Sequence, residues 1–137
     1  MLFEQTADTQ VIKQFVDQLI DYNHQKTAEG NYQTGTFNFV CKDDQGIVSG
    51  LIMTEISFNW MYIAKLIVDK NIRTNGVGSF LLGNAEDFAR SRGCHSVWLF
   101  TSTFQAPDFY KKMGYKKFGT LKNYPGKHKR YFLCKQL

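Results

Sequence analysis

The chain has 137 residues, of which 43% are hydrophobic and 21% charged, so it is long enough to bury the core of one globular domain. It contains no apolar run approaching about twenty residues, and it lacks the basic start and apolar core of a secretory signal. Its three cysteines lack metal-ligand spacing, which argues against a disulfide framework and a zinc site. We therefore predict one cytoplasmic domain over residues 1–137, with reduced cysteines, no metal and no membrane span.

The net charge of +5 is concentrated toward the C-terminus. Nine of the 17 lysines and arginines follow Asp108, and no Asp or Glu does. This asymmetry creates a positive potential that favours an anionic partner near the last third of the chain. Nucleic acid and a polyphosphate cofactor are both open at this stage. For any single lysine, a solvated surface position is the simpler interpretation.

The first half of the chain reads as one helix followed by three strands. Apolar residues recur with a helical period from Thr9 to about Lys26, and Asp8 or Thr9 is the candidate N-cap. A polar stretch at 27–35 is compatible with a short helix or a loop. Strand patterns follow at 37–41, 47–56 and 60–68, with turns at 43–46 and 57–59. These three strands predict an antiparallel meander.

The second half begins with an amphipathic helix that Gly93 ends. One predicted face carries Val77, Phe80, Leu81, Ala85, Phe88 and Ala89, and the other carries Glu86, Asp87 and Arg90. A strand at 97–101 follows, and the crossover through the helix predicts that it runs parallel to the strand at 60–68. Pro107 begins a short helix that ends at Gly114. Two more strands are predicted at 115–118 and 131–133.

Between the strand at 60–68 and the long helix lies the sequence Arg73-x-x-Gly76-x-Gly78. Glycines let backbone N–H groups approach a phosphate without a Cβ in the way, and a helix start directs partial positive charge at the same place. No third glycine stands near Leu81 and no Gly-Lys-Ser/Thr follows, so neither a dinucleotide fingerprint nor a P-loop is predicted. The motif predicts an anion cradle, with a plain turn as the alternative.

Two separated motifs resemble the GNAT superfamily of acetyl-CoA-dependent N-acetyltransferases. They are Leu66-Ile-Val-Asp-x₃-Arg73-x-x-Gly76-x-Gly78 and, about thirty residues later, Ala106-x-x-Phe109-Tyr110-x₃-Gly114-Tyr115. The resemblance covers nearly the whole chain, and the segment Tyr124–Leu133 looks like the end of small bacterial members. It implies an α/β fold with a central, mostly antiparallel sheet, a splayed parallel pair and flanking helices. It also implies acetyl-CoA as co-substrate.

The resemblance assigns residues to that co-substrate. The backbone of Leu66, Ile67 and Val68 would bind the pantetheine arm. The pyrophosphate would be wrapped by Arg73, Thr74, Asn75, Gly76, Val77, Gly78 and Ser79. The parallel strands would splay after Val68 and Leu99, and the acetyl thioester would enter the gap. Many relatives have an asparagine where this chain has Thr103, whose hydroxyl still offers one hydrogen bond to the cofactor.

Tyr110 matches the family tyrosine that often protonates the departing CoA thiolate, and a core aromatic residue is the alternative interpretation. Positions that hold a base carboxylate in relatives carry Ala64, Lys65 and Trp98 here. Glu55 is the best remaining carboxylate and His128 the best other base, while a water chain without a single base is equally compatible. The acceptor would be lined by aromatic residues, namely Tyr22, Tyr32, Phe58, Trp60, Tyr62 and Tyr124.

The first functional hypothesis is transfer of an acetyl group from acetyl-CoA to a primary amine of a small molecule. The second is a CoA-binding module that has lost catalysis and acts as a sensor or partner. Nucleic-acid binding ranks last, because it leaves the glycine turn unexplained. A homodimer is open, and no membrane partner is predicted.

Overall fold

The structure is a computed structural model that describes residues 1–28, 30–72 and 76–137. Its backbone contacts divide the chain into two compact units, Met1–Asn31 and Tyr32–Leu137. The first unit contains helix α1 (Thr9–Thr27), and the second contains a six-stranded sheet with two further helices. Within the described residues, no helix is long and apolar enough to cross a bilayer.

Helix α1 begins at Asp8 as its N-cap. The Asp8 carboxylate accepts hydrogen bonds from the N–H groups of Gln10 at 2.9 Å and Val11 at 3.2 Å. These donors belong to the first helical turn, which has no intrahelical acceptor for them. The structure thus confirms the predicted helix and selects the first of the two candidate caps.

The second unit confirms the predicted order of strands and helices. Its elements are β1 (Gly35–Lys42), β2 (Val48–Ser57), β3 (Trp60–Val68), α2 (Val77–Ser91), β4 (Ser96–Ser102), α3 (Pro107–Lys112), β5 (Lys116–Leu121) and β6 (Arg130–Gln136). The sheet order is β1-β2-β3-β4-β6-β5. Within it β3 and β4 run parallel, and the other neighbouring strands run antiparallel. This is the mixed α/β sheet that the sequence predicts.

Tight turns hold the antiparallel meander of β1, β2 and β3. Asp43 organises the first turn, because its carboxylate accepts hydrogen bonds from the N–H groups of Gln45 at 2.9 Å and Ile47 at 2.8 Å. The second turn has two central residues, Phe58 and Asn59, with φ of 50° and 60°. Positive φ at both positions matches the right-handed twist of the flanking strands.

The parallel pairing of β3 and β4 is short. It joins Trp60–Tyr62 to Ser96–Trp98 and does not extend beyond them. The prediction that the strands splay after Val68 and Leu99 is therefore wrong for β3, whose pairing ends at Tyr62, while the pairing of β4 ends at Trp98, directly before Leu99. The cause lies in β3, where Met53 of β2 pairs with Lys65 and Thr54 pairs with Ile63, which leaves Ala64 as an extra residue. Such a bulge bends its strand and increases the local twist.

Helix α2 packs on the sheet through a stripe that the sequence only partly predicts. Its buried residues are Leu81, Leu82, Ala85, Glu86 and Ala89. The expectation that Glu86 faces solvent and Phe80 faces the core is wrong, because Glu86 is 4% exposed and Phe80 is 58% exposed. The buried face of α2 is therefore shifted by about one residue from the predicted face and includes Glu86. The Glu86 carboxylate bonds to Tyr115 and to Lys135 of β6. Gly93 follows the helix with φ of 75°, which confirms the predicted stop.

Candidate active site

A cavity of about 1080 Å³ opens where β3 and β4 separate. Six consecutive residues of β3, Ile63–Val68, form one wall. The start of α2, the end of β4, the loop that leads to α3 and the residues Tyr110 and Arg130 complete the lining. The bulge in β3 therefore creates the space, because it ends the pairing that would otherwise close the gap between the two strands.

The start of α2 forms one end of the cavity, where Gly76, Gly78 and Ser79 all contribute to the lining. Gly76 is the N-cap in a left-handed conformation, with φ of 75°, and no side chain of the described residues caps the helix. N–H groups of a first helical turn have no intrahelical acceptor, so they are available to an anion. Val77 instead packs against the core. Arg73, Thr74 and Asn75 lie outside the described residues.

Tyr110 lies in α3 and lines the cavity while being only 9% exposed. Its ring packs edge-to-face against Phe109 and Tyr115, with centroid distances of 5.1 and 5.9 Å. Burial raises the pKa of the Tyr110 phenol above its ordinary value. The phenol therefore carries its proton at neutral pH, as a proton donor must.

Behind Tyr110 lies a buried polar group that fixes its position. The Tyr115 hydroxyl donates to Glu86 Oε1 at 3.0 Å, and Lys135 Nζ donates to Glu86 Oε2 at 2.7 Å. The Tyr115 N–H also donates to the Tyr110 carbonyl at 3.0 Å. Because the buried carboxylate is both paired and hydrogen-bonded, its burial is tolerated. The sequence prediction missed this group, since Glu86 has an ordinary surface pattern.

Thr103 and His128 lie together at the edge of the site. Thr103 Oγ1 accepts a hydrogen bond from the Lys129 N–H at 3.3 Å and lies 3.3 Å from His128 Nδ1. The Thr103 N–H donates to the Lys129 carbonyl at 3.0 Å. Thr103 is exposed and is not among the residues that line the cavity. In this arrangement its hydroxyl joins the loop after β4 to the loop before β6.

Glu55 is an exposed residue of β2 that pairs with Tyr62 of β3. It is not among the residues that line the cavity. Burial raises the pKa of Tyr62, the Glu55 carboxylate raises it further, and Arg130 opposes the change. The structure therefore places Glu55 within electrostatic reach of the sheet face that carries Tyr62, and apart from Tyr110.

The sheet face that carries Tyr62 is aromatic. Tyr62 stacks on Trp98 with a centroid distance of 4.4 Å, and Phe100 lies 6.0 Å from both Tyr62 and Phe132. We call Tyr62, Trp98, Phe100 and Phe132 the aromatic face. Trp98 and Phe100 alternate along β4 with Leu99, which lies in the core with α2, so the aromatic face is the side of the sheet opposite α2.

Arg130, at the start of β6, is a cavity residue that the sequence prediction missed. Its guanidinium carbon lies 4.1 Å from the ring centroid of Phe100 and 3.7 Å from that of Tyr124. As one of nine basic residues after Asp108, it has no distinguishing sequence signal.

Comparisons with known proteins agree with this architecture. An acetyltransferase structure from Bacillus cereus superposes with a TM-score of 0.91 at 30% identity, covering 100% of this chain and 99% of that one. Acetyltransferase Atu2258 of Agrobacterium fabrum is 30% identical over 84% of this chain and 82% of its own. Blasticidin-S acetyltransferase of Streptomyces morookaense is 33% identical over 69% of this chain and 70% of its own.

The fold and the opened parallel pair place the protein among the acyltransferases. The sequence model of the Acetyltransferase (GNAT) family matches residues 5–115, and the chain belongs to that family. Members of this family use acetyl-CoA as the acetyl donor. Among the described residues no cluster of three or more His, Cys, Asp and Glu side chains is arranged to hold a metal ion.

Proposed function

We propose that this protein is a single-domain N-acetyltransferase that moves the acetyl group of acetyl-CoA to a primary amine of a small molecule. One observation carries the proposal. A single cavity connects the N-terminus of α2 with the buried, neutral phenol of Tyr110, through the gap between β3 and β4. An anion-binding helix start and a proton donor that line one cavity suit a phosphorylated thioester.

Acetyl-CoA would lie along this cavity. Its pyrophosphate would bind at the start of α2, where Gly76, Gly78 and Ser79 line the cavity and the N–H groups of the first turn are available. Arg73, Thr74 and Asn75 directly precede this turn in the sequence and would complete the pyrophosphate site. Val77 would contribute its backbone alone, since its side chain packs against the core. The pantetheine arm would follow the wall formed by Leu66, Ile67 and Val68. Thr103 would contact the cofactor through its O–H group, because in the bond with Lys129 its oxygen is the acceptor.

The reaction needs one proton removed and one delivered. The neutral amine attacks the thioester carbonyl, a C–N bond forms, and a tetrahedral oxyanion results. This intermediate collapses with cleavage of the C–S bond, and the leaving thiolate takes a proton from the Tyr110 hydroxyl. The phenolate regains a proton from solvent, and the amine nitrogen loses its proton to a base. The products are the amide and CoA.

The base is the open part of this mechanism. Glu55 is exposed and lies outside the cavity lining, so it would reach an amine in the β3–β4 gap through a water molecule. His128 is held beside Thr103 at the edge of the site. We favour a water chain that delivers the amine proton to bulk solvent, with Glu55 as the alternative base.

Thiol release from acetyl-CoA with an amine panel, combined with thermal denaturation in the presence of CoA, tests the function. We expect CoA to raise the melting temperature and at least one amine to release the thiol above the hydrolysis background. The competing function, a CoA-binding module without catalysis, predicts the thermal shift without thiol release for any amine. Absence of the thermal shift contradicts both. The relative named for blasticidin S supports small-molecule amines as the first members of the panel.

A further inference from the structure

Arg130 is held in a fixed orientation by two aromatic rings. Phe100 and Tyr124 lie 4.1 and 3.7 Å from its guanidinium carbon, within the range of strong cation–π contact. These contacts satisfy the π-facing side of the cation and provide no hydrogen-bond acceptor for its N–H groups. These N–H groups form a rigid fork that matches the two oxygens of a carboxylate.

The positive charge of Arg130 is not neutralised by the described residues. Their salt bridges involve Lys13, Arg90 and Lys135, and none includes Arg130. Its Nε is shielded from solvent and has no hydrogen-bond partner in the part of the chain that the structure describes. Buried donors without acceptors are rare in folded proteins and are costly, so an unpaired guanidinium beside a cavity calls for a ligand.

The position of Arg130 distinguishes it from the phosphate end of the cavity. The start of α2 and Tyr110 lie on the α2 side of the sheet, where Tyr110 belongs to the core. Arg130 packs on Phe100 of the aromatic face, on the opposite side. Both ends belong to one cavity that passes between the separated strands. Arg130 therefore lies across the sheet from the proposed phosphate site, on the side that carries the aromatic face.

We propose that Arg130 binds a carboxylate of the amine acceptor, so that the substrates of this enzyme are amines that also carry a carboxylate group. This inference rests on the proposed acetyltransferase function. The aromatic face supplies a wall on which the carbon skeleton of such a molecule stacks. Lys127, an exposed lysine of the same hairpin, has no ring contact among the described residues and no place in the cavity lining.

Matched acceptors test the proposal. The panel pairs para-aminomethylbenzoate with para-aminomethylbenzamide, and delta-aminovalerate with its amide, so that each pair shares the amine and differs in the carboxylate. We expect the wild type to favour the carboxylate member of at least one pair by about tenfold or more in kcat/KM, mainly through KM, as one charge-assisted pair provides. Arg130→Gln should abolish this preference, and Arg130→Lys should restore part of it. Lys127→Gln, which removes the same charge outside the cavity, should retain the preference.

Each contrary result has a distinct meaning. If the wild type acetylates both members of every pair equally, or prefers the amides, the inference is overturned while the acetyltransferase function stands. A preference that persists in a folded Arg130→Gln protein, with an intact thermal shift by CoA, also overturns it. If no amine of either kind is acetylated, the proposed function fails, and the inference fails with it because no acceptor exists. If Arg130→Gln does not fold, the inference is judged by whether the wild type prefers the carboxylate members of the panel over their amides.

Discussion

The chemistry proposed for this protein depends on the protonation state of one phenol. Tyr110 is buried between Phe109 and Tyr115, and this burial raises its pKa. A raised pKa disfavours the phenolate, so the proton stays on the oxygen until negative charge develops on a departing sulfur beside it and the cleavage of the C–S bond drives its transfer. The same burial makes Tyr110 a good core residue, and only a functional measurement separates the two roles.

Replacing Tyr110 with Phe keeps the ring and removes the proton. We expect kcat to fall by about 10²- to 10⁴-fold, the usual contribution of a positioned acid, while the affinity for CoA changes little. Steady-state kinetics with the best amine of the panel measures the first effect, and a CoA thermal shift measures the second. Tyr131→Phe, which removes a hydroxyl outside the cavity lining, is the control. Equal turnover by Tyr110→Phe and wild type would return Tyr110 to a purely structural role.

The identity of the group that accepts the amine proton determines how kcat/KM falls at low pH. If water accepts the amine proton, kcat/KM falls at low pH as the amine becomes protonated, and this acidic limb of the pH–rate profile moves to lower pH with a less basic amine. We expect this result, and we expect the limb to remain in Glu55→Gln, because Glu55 is exposed and outside the cavity lining. Profiles for two amines of different basicity provide the measurement. If the fall in kcat/KM at low pH is the same for both amines and is absent in Glu55→Gln, Glu55 is the base.

Among the secondary-structure elements, β3 and α2 define the cavity. The extra residue Ala64 ends the pairing with β4 after Tyr62, and the glycine-rich start of α2 supplies N–H groups at one end of the resulting gap. Both features are backbone features, so the site depends little on which side chains surround it. The proposed anion site therefore needs no side-chain cap at Gly76, and none is present among the described residues.

A negative charge at the start of α2 should weaken CoA binding. Ser79→Glu places a carboxylate in the first helical turn at an exposed cavity residue, where it repels the pyrophosphate. We prefer it to Gly78→Glu, because a Cβ added at Gly78 would lie 3.4 Å from the Phe109 ring, and the new side chain would then also affect packing. We expect the dissociation constant for CoA to rise by about tenfold or more. Asn84→Glu adds the same charge on the exposed side of α2, and binding that is equally weakened in both variants would contradict this site.

Across the second unit, the buried carboxylate of Glu86 joins elements that are far apart in sequence. It connects α2 with Tyr115, which precedes β5, and with Lys135 of β6. Burial raises the pKa of Tyr115, and the neighbouring Glu86 carboxylate raises it further. The folded state therefore binds the phenolic proton more tightly than the unfolded state does, and stability depends on that proton.

This linkage predicts a loss of stability in alkali. The contribution of Tyr115 is fully present below the unfolded pKa of about 10 and is lost as the pH rises above it, because only the unfolded state then releases the proton. We expect Tyr115→Phe to cost about 1–3 kcal/mol at neutral pH and to reduce the decline in unfolding free energy above about pH 10. Urea unfolding at several pH values provides the measurement, with Tyr22→Phe as an exposed control. Parallel declines in the wild type and Tyr115→Phe would contradict this prediction.

The sequence alone predicted the order of the elements, the helix stop at Gly93, the parallel crossover and the motifs that resemble the GNAT superfamily. These features depend on local periodicity, on backbone conformations that glycine and proline favour, and on chain connectivity. Turn and cap residues such as Asp8 and Asp43 act on N–H groups within four positions, so their roles are visible in the linear chain.

Only the tertiary structure decided which polar residues are buried and where the sheet opens. Glu86 reaches Tyr115 across 29 positions and Lys135 across 49, and no local pattern records such pairs. The bulge at Ala64 appears only when the register of β2 against β3 is known. Arg130 stands out from eight other basic residues only because Phe100 and Tyr124 come from different parts of the chain to enclose it. Long-range pairing therefore sets the details of the site, because the free energy of burying a charge depends on partners that sequence position does not specify.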